Sequence, residues 1–146
     1  MYRLYLSEML PKVLYPHGNG QPNASVCITQ NAMFRTPLYE GTFTLNMLYQ
    51  LDPFNSTYQV FPAVKGAVLS KVVRHLQENP TGPQWYASNV TLQRDHTYDL
   101  VCTDYDCVAI GKVISFVTGS KSTAKPYPGS FTDTLVVKQY IESFHC

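Results

Sequence analysis

The sequence carries little charge of either sign. Only 14% of its 146 residues are Asp, Glu, Lys or Arg, and the formal net charge is +1. An average globular protein has about a quarter of its residues charged. The Lys and Arg residues form no cluster, and binding to the phosphates of a nucleic acid needs a concentrated basic face. The composition therefore argues against a nucleic-acid partner.

Long apolar runs are missing as well. No stretch reaches the length of about 18 apolar residues that a membrane-spanning helix needs, so we expect no membrane span. Residues 1–8 include an acid and no continuous apolar run, which is not the pattern of a secretory signal peptide. If the protein is secreted, we expect its leader to be absent from the chain as given.

Motifs that carry chemistry are scarce. The spacing of Cys102 and Cys107, with the isolated His96 as the nearest histidine, is not a zinc pattern. The histidines show neither a His-x₃-His spacing nor a Ser/His/Asp arrangement; they stand at His17, His75, His96 and His145. We therefore predict no metal site, no catalytic residues and a protein that is not an enzyme.

The residues that are abundant favour a β-rich extracellular domain. Aromatic residues make up 13% of the chain and apolar residues 45%, and the length suits one domain over residues 1–146. An even number of cysteines is typical of an oxidising compartment. Three Asn-x-Ser/Thr sequons, which are potential glycosylation sites, agree with secretion; they begin at Asn23, Asn55 and Asn89.

Short alternating or β-branched segments predict most of the chain to be strands. Residues 63–77 are ambiguous, because Val64, Val68, Val72 and Leu76 have helical spacing whereas Gly66 and the valines favour a strand. A terminal helix is predicted at about 131–144, capped by Thr132 or Ser130. The predicted strands cover residues 2–10, 26–34, 42–49, 58–61, 84–92 and 113–117.

The segment 98–111 predicts a β-hairpin. Two apolar runs, Tyr98–Val101 and Val108–Ile110, flank a polar Thr-Asp-Tyr-Asp turn. Such a turn brings the flanking Cys102 and Cys107 within the range of a disulfide bond, which would leave Cys27 to pair with Cys146. The pairing Cys27–Cys102 with Cys107–Cys146 remains an alternative.

The hairpin resembles the second signature of the lipocalin family, in which an apolar pair precedes Thr103-Asp104-Tyr105. Cys27 resembles the second-strand cysteine of apolipoprotein D and crustacyanin-like members, although the family's Gly-x-Trp is absent. The resemblance implies an all-β fold with one C-terminal helix: an antiparallel up-and-down β-barrel, the lipocalin calyx, with the helix packed outside it. In that fold residues 63–77 form a strand, and Thr103-Asp104-Tyr105 closes the barrel floor without a chemical role.

The resemblance implies a secreted carrier that holds a small hydrophobic ligand non-covalently and requires no cofactor. Its barrel would suit a carotenoid, bilin, retinoid or fatty acid, so that the protein would be a pigment- or lipid-binding transport protein. The alternative is a structural or interaction subunit of a homo- or hetero-oligomeric glycoprotein. The residues predicted to line the cavity are Phe43, Leu45, Met47, Tyr49, Tyr58, Val60, Trp85, Tyr98 and Leu100.

Overall fold

The computed structural model describes residues 2–15, 24–31, 44–51, 53–79, 82–88, 90–129 and 131–144. Within these residues five strands and five helices are present. The strands are β1 (Ala24–Gln30), β2 (Tyr58–Lys65), β3 (Trp85–Ala87), β4 (Thr97–Thr103) and β5 (Lys125–Pro126). The helices are α1 (α-helical over Tyr2–Leu4 and a π-helix over Tyr5–Leu14), α2 (Leu45–Leu51), α3 (Gly66–Gln77), α4 (Asp104–Thr118) and α5 (Asp133–Glu142).

The strands form one mixed, open sheet in the order β3-β1-β4-β2-β5. β1 and β4 are parallel, and the other neighbouring pairs are antiparallel. Within the described residues the outer strands, β3 and β5, do not pair with each other, so the sheet does not close. The predicted all-β, up-and-down barrel is therefore wrong. A parallel pair needs a long crossover connection, and here the connection between β1 and β4 contains helices.

Helices cover both faces of the sheet, and each face has its own apolar core. Successive residues of β4 point to opposite faces, so Val101 lies in one core and Leu100 and Cys102 lie in the other. Helices α1, α2 and α5 pack on the Val101 face, and α3 and α4 pack on the Leu100 face. The result is a three-layer α/β arrangement.

The first helix replaces the strand predicted over residues 2–10. Its buried side chains fall three and four residues apart, which is helical spacing; they are Tyr5, Leu6, Met9, Leu10, Val13 and Leu14. The Tyr5 and Tyr58 hydroxyls are hydrogen-bonded at 2.8 Å and tie α1 to β2. Pro11 lies inside the helix, where it has no N–H to donate, and the wider π-helical backbone accommodates it.

Two further predicted strands are also helices. The alternation over 42–49 predicts a strand, but residues 42 and 43 lie outside the described residues and the rest of the segment enters α2 at Leu45. Leu48 and Leu51, three residues apart, are the side chains of this helix that reach the core. Residues 63–77 divide at Gly66, where β2 ends and α3 begins. The helical spacing of Val72 and Leu76 thus leads to the correct interpretation, and the strand implied by the lipocalin resemblance is wrong.

The predicted hairpin over 98–111 is wrong in its second half. Its first arm is β4, but the chain then enters α4 and does not turn back. Cys107, Ile110 and Ile114 recur at three- and four-residue intervals and bury one face of α4, so the predicted strand over 113–117 is helical as well. The β-branched residues of this segment favour a strand locally, but the packing of that face on the sheet decides the outcome.

The terminal helix α5 lies within the segment, about 131–144, for which the sequence predicts a helix. The Thr132 hydroxyl accepts a hydrogen bond from the Leu135 N–H and caps the helix. None of the helices in the described ranges is long and apolar enough to cross a membrane.

Candidate functional site

One edge of the sheet brings together the ends of three strands. The parallel strands β1 and β4 both finish there, and β2 begins there, because Tyr58 pairs with Thr103. In α/β sheets, ligands bind in the crevice outside the carboxyl ends of parallel strands. We refer to the residues that leave the sheet at this point, 29–31, 54–57 and 103–106, as the carboxyl edge.

The start of α4 places an exposed tyrosine at the carboxyl edge. The Thr103 hydroxyl accepts a hydrogen bond from the Asp106 N–H at 3.3 Å and caps the helix, and acidic residues in the first turn favour its positive end. The Asp104 N–H donates to the Thr57 carbonyl at 2.9 Å, which joins the helix start to the beginning of β2. Tyr105 follows and is 71% exposed.

A buried carboxyl group holds the end of β1 against α4. The Thr29 hydroxyl donates to Oδ2 of Asp106 at 3.0 Å, and the Gln30 side-chain amide donates to Oδ1 at 2.9 Å. Burial raises the pKa of Asp106, and the hydrogen bonds from Gln30, Thr29 and Thr103 oppose that rise. Because these groups satisfy both carboxylate oxygens, Asp106 holds the edge together and is not free to contact a ligand.

A second exposed aromatic residue lies at the carboxyl edge. Phe54 is 51% exposed and lies in the turn that precedes β2. The turn is fixed to α5, because the Ser56 N–H donates to the buried Asp133 carboxylate at 2.7 Å and the Ser56 carbonyl accepts from the Asp133 N–H at 2.9 Å. Asn55 has a left-handed backbone (φ 51°), which Asn tolerates better than most residues.

The chemical character of the carboxyl edge suits a planar ligand with polar substituents. Phe54 and Tyr105 are both more than half exposed, and stacking of a nucleobase on an aromatic side chain contributes about 1–3 kcal/mol. Asp104, which is exposed, adds a carboxylate that can accept hydrogen bonds from hydroxyl groups.

A disulfide bond spans the junction between β4 and α4. It joins Cys102 to Cys107, whose Cα atoms are 5.7 Å apart, so the alternative pairing of Cys27 with Cys102 does not occur. Cys27 is a buried free thiol, and burial together with the Asp106 carboxylate raises its pKa, which keeps it protonated. The partner predicted for Cys27, Cys146, lies outside the described residues.

The residues predicted to line a barrel cavity do not surround one space. Tyr58 and Val60 lie in the core under α1 and α5, whereas Trp85, Tyr98 and Leu100 lie in the core under α3 and α4. Three others are on α2, where Leu45 and Tyr49 are exposed and Met47 is half-buried, and Phe43 lies outside the described residues. An open sheet packed on both faces has two separate cores, so a set of strand residues that would face one lumen is divided between them.

Sequence patterns single out some residues of the carboxyl edge and miss others. Thr103, Asp104 and Tyr105 are predicted from the sequence to close the floor of a barrel. In the structure they are the cap and the first residues of α4. Phe54 and Asp106 are not predicted as site residues. The signal for Phe54 is an aromatic ring inside an Asp-Pro-Phe-Asn turn, where exposure is expected. Of the sequons, Asn55 is exposed at this edge, and Asn23 and Asn89 lie outside the described residues.

A family model described as the NAD nucleotidase C-terminal domain matches residues 1–106, which include the whole carboxyl edge. The chain belongs to this family. The match begins at α1 and ends at Asp106, so the sheet apart from β5 and the junction into α4 are parts of the NAD nucleotidase C-terminal domain.

Three solved structures with the same fold are named as nucleotidases. The 5'-nucleotidase from Candida albicans superposes with a TM-score of 0.77 at 13% identity over 96% of this chain and 36% of its own. The 5'-nucleotidase precursor from Thermus thermophilus has a TM-score of 0.66 at 15% identity over 97% of this chain and 32% of its own. The NAD nucleotidase from Haemophilus influenzae has a TM-score of 0.62 at 15% identity over 83% and 27%. The chain thus spans about a third of the length of these proteins, and no curated protein matches it.

These findings overturn the function expected from the lipocalin resemblance. The chain is not a divergent lipocalin, and the pigment- or lipid-carrier hypothesis and the barrel on which it depends are wrong. The expectation of a non-enzymatic protein is contradicted too, since the family to which the chain belongs is described as a domain of an NAD nucleotidase. One of the nucleotidases that share the fold is named a precursor. Thr103-Asp104-Tyr105 is short enough to occur outside the lipocalin family and does not identify it.

Proposed function

We propose that this chain is the domain of a secreted nucleotidase that binds the nucleoside part of a nucleotide or dinucleotide substrate. The observation that carries the proposal is the match to the NAD nucleotidase C-terminal domain over residues 1–106. Because the chain covers only 27–36% of the nucleotidases that share its fold, we assign substrate recognition to it and the hydrolytic step to the remainder of such an enzyme.

The carboxyl edge supplies the contacts that this role requires. The base stacks on Tyr105 and Phe54, whose rings are exposed where the parallel strands end. The Asp104 carboxylate accepts hydrogen bonds from the ribose hydroxyl groups, as acidic residues do in other α/β nucleotide sites. Asp106 acts through position alone, since it joins β1 to α4 and thereby fixes the direction in which Tyr105 leaves the helix.

Secretion is supported by the cysteine chemistry. A disulfide bond such as Cys102–Cys107 persists in oxidising compartments and is rare in reducing ones.

The test is the affinity of the 146-residue chain for adenosine and for NAD, measured by calorimetry for the wild type and for Tyr105→Ala and Phe54→Ala. Loss of one stacking contact worth about 1–3 kcal/mol reduces affinity roughly 5- to 150-fold. Phe116→Ala is the matched control, because Phe116 is also on α4 and is 75% exposed but stands near the far end of the helix, beside His75. Wild-type affinity in both edge variants, or an equal loss in Phe116→Ala, would exclude the carboxyl edge as the nucleoside site.

A further inference from the structure

A solvent-open groove of about 560 Å³ lies beside the carboxyl edge, between α4 and β2. Its third wall is the segment 121–124, which leads into β5. Phe61 contributes to the floor, and Gly111 of α4 faces its ring; a Cβ atom at Gly111 would be 3.4 Å from the Phe61 Cζ atom. Because Gly111 has no side chain, the groove stays open above the ring.

The charged side chains that line the groove are all positive. Lys112 contributes from α4 and Lys121 from the opposite wall, and the described residues that line the groove include no Asp or Glu. Among the described residues neither lysine has a carboxylate partner. The other polar lining groups, such as Gln59 and Ser115, are neutral and can donate hydrogen bonds.

The surrounding sequence has the same charge bias. Residues 107–132 contain Lys112, Lys121 and Lys125 and no acidic residue, in a chain whose overall charge is only +1. Clefts lined by one sign of charge concentrate counter-ions. The apolar ring of Phe61 in the floor lowers the local dielectric constant and so strengthens the electric field of the lysines. The groove is therefore a place where an anion is favoured.

The exposed face of α4 connects the groove to the carboxyl edge. Tyr105, Val108 and Lys112 are separated by three and four residues and so lie on one face; Val108 is 64% exposed and lines the groove. The seven residues from Tyr105 to Lys112 rise by about 10 Å along the helix. A ligand that stacks on Tyr105 must therefore extend over about 10 Å to reach Lys112, which a nucleotide with a chain of phosphates can do.

We infer that this groove is a phosphate-binding site, in which Lys112 and Lys121 hold a pyrophosphate-type anion. The phosphates belong either to the nucleotide whose base occupies the carboxyl edge, an assignment that rests on the proposed function, or to free phosphate species that bind independently of a nucleoside. Both sources share the same chemistry. Phosphate-bearing ligands are attracted by two ammonium groups on facing walls, and salt weakens the attraction because both groups are exposed.

The experiment measures the affinity of the 146-residue chain for inorganic pyrophosphate, adenosine and ADP at low and at high salt. We expect pyrophosphate to bind at low salt and to bind about tenfold more weakly to the Lys112→Gln/Lys121→Gln double variant. Lys125→Gln is the matched control, because Lys125 is an exposed lysine on the adjacent β5 that does not line the groove. Its affinity for pyrophosphate should equal that of the wild type.

The affinities for the three ligands distinguish the two sources of phosphate. They also distinguish the phosphate-binding groove from the proposed nucleoside site. Tighter binding of ADP than of adenosine, with the difference abolished in the double variant and adenosine affinity unchanged, supports a groove that receives the substrate's own phosphates. Pyrophosphate binding that depends on Lys112 and Lys121, with no adenosine binding, supports the groove and overturns the nucleoside site. Failure of pyrophosphate to bind, or an equal loss in Lys125→Gln, overturns the groove whether or not adenosine binds.

Discussion

Two glycine-to-alanine substitutions should change stability in opposite directions. Gly66 begins α3, and its amide donates to the His96 carbonyl at 2.8 Å. A Cβ atom at this position would be 2.1 Å from the Gln93 carbonyl oxygen and 2.9 Å from its carbon. Both are backbone atoms, so the segment from Gln93 to His96 must move away before the methyl group of an alanine can fit.

The cost of Gly66→Ala has three parts. Overpacking of this kind costs about 1–3 kcal/mol. Displacement of the segment also weakens the hydrogen bonds from Gly66 to His96 and from Ala67 to Arg94, each worth about 0.5–1.5 kcal/mol net. The gain in helix propensity is at most about 1 kcal/mol. We expect a net loss of about 2–3 kcal/mol in the free energy of unfolding, which corresponds to a fall of about 5–10 °C in Tm.

Gly111→Ala is the matched control inside α4. A Cβ atom there would be 3.4 Å from the Phe61 Cζ atom, which is an ordinary contact. The substitution should therefore raise the free energy of unfolding by about 0.5–1 kcal/mol through helix propensity alone. Urea unfolding followed by far-UV circular dichroism measures both. A Gly66→Ala variant as stable as the wild type or more stable would refute the close approach of α3 to the segment 93–96, and a loss of stability in Gly111→Ala would contradict the ordinary contact with Phe61.

Three further substitutions test the sheet and the carboxyl edge. Ala63→Gly should stabilise the protein by about 1 kcal/mol in urea unfolding, because Ala63 has a left-handed backbone (φ 52°); an unchanged midpoint would contradict that strain. In the wild type the pKa of Asp106 is raised, so the folded state binds this proton more tightly than the unfolded state does. The contribution of Asp106 to stability therefore falls as the pH rises from the ordinary carboxyl pKa through the raised one. Asp106→Asn should remove this pH dependence from the free energy of unfolding. If the variant's free energy of unfolding still changed with pH as the wild type's does, the pH dependence could not be assigned to Asp106. Replacement of Cys102 and Cys107 by Ser should lower the free energy of unfolding by about 2 kcal/mol, the chain-entropy value for so short a loop, and reductant should then have no further effect on the variant.

The strand predictions fail where a helix has β-branched or alternating residues. In α4 the apolar residues suggest a second hairpin arm, yet Cys107, Ile110 and Ile114 form one buried face only when the segment is helical and packs on the sheet. Over 42–49 the alternating residues include the exposed Leu45 and Tyr49, so the alternation does not correspond to burial. Single-sequence patterns show which residues are apolar, but the partner surface decides which of them are buried.

The carboxyl edge shows the same dependence on tertiary structure. Phe54 and Tyr105 are 51 residues apart in sequence, and neither has a neighbour in the chain that suggests a shared site. Only the pairing of Tyr58 with Thr103 and the hydrogen bond from Asp104 to Thr57 place them at one edge. The lipocalin resemblance led to the wrong fold, because a three-residue motif constrains the local turn but does not determine the order of the strands.

What the sequence determined by itself is local. The helical spacing of Val68, Val72 and Leu76 is enough for α3, and the hydroxyl of Thr132 is enough to begin α5, because these effects act within one or two turns. The tertiary structure alone decided that β1 and β4 are parallel neighbours and that the edge where they end is the candidate site. Strand order depends on contacts between residues far apart in the chain, and their free energy is set by packing across the whole sheet, which no local pattern records.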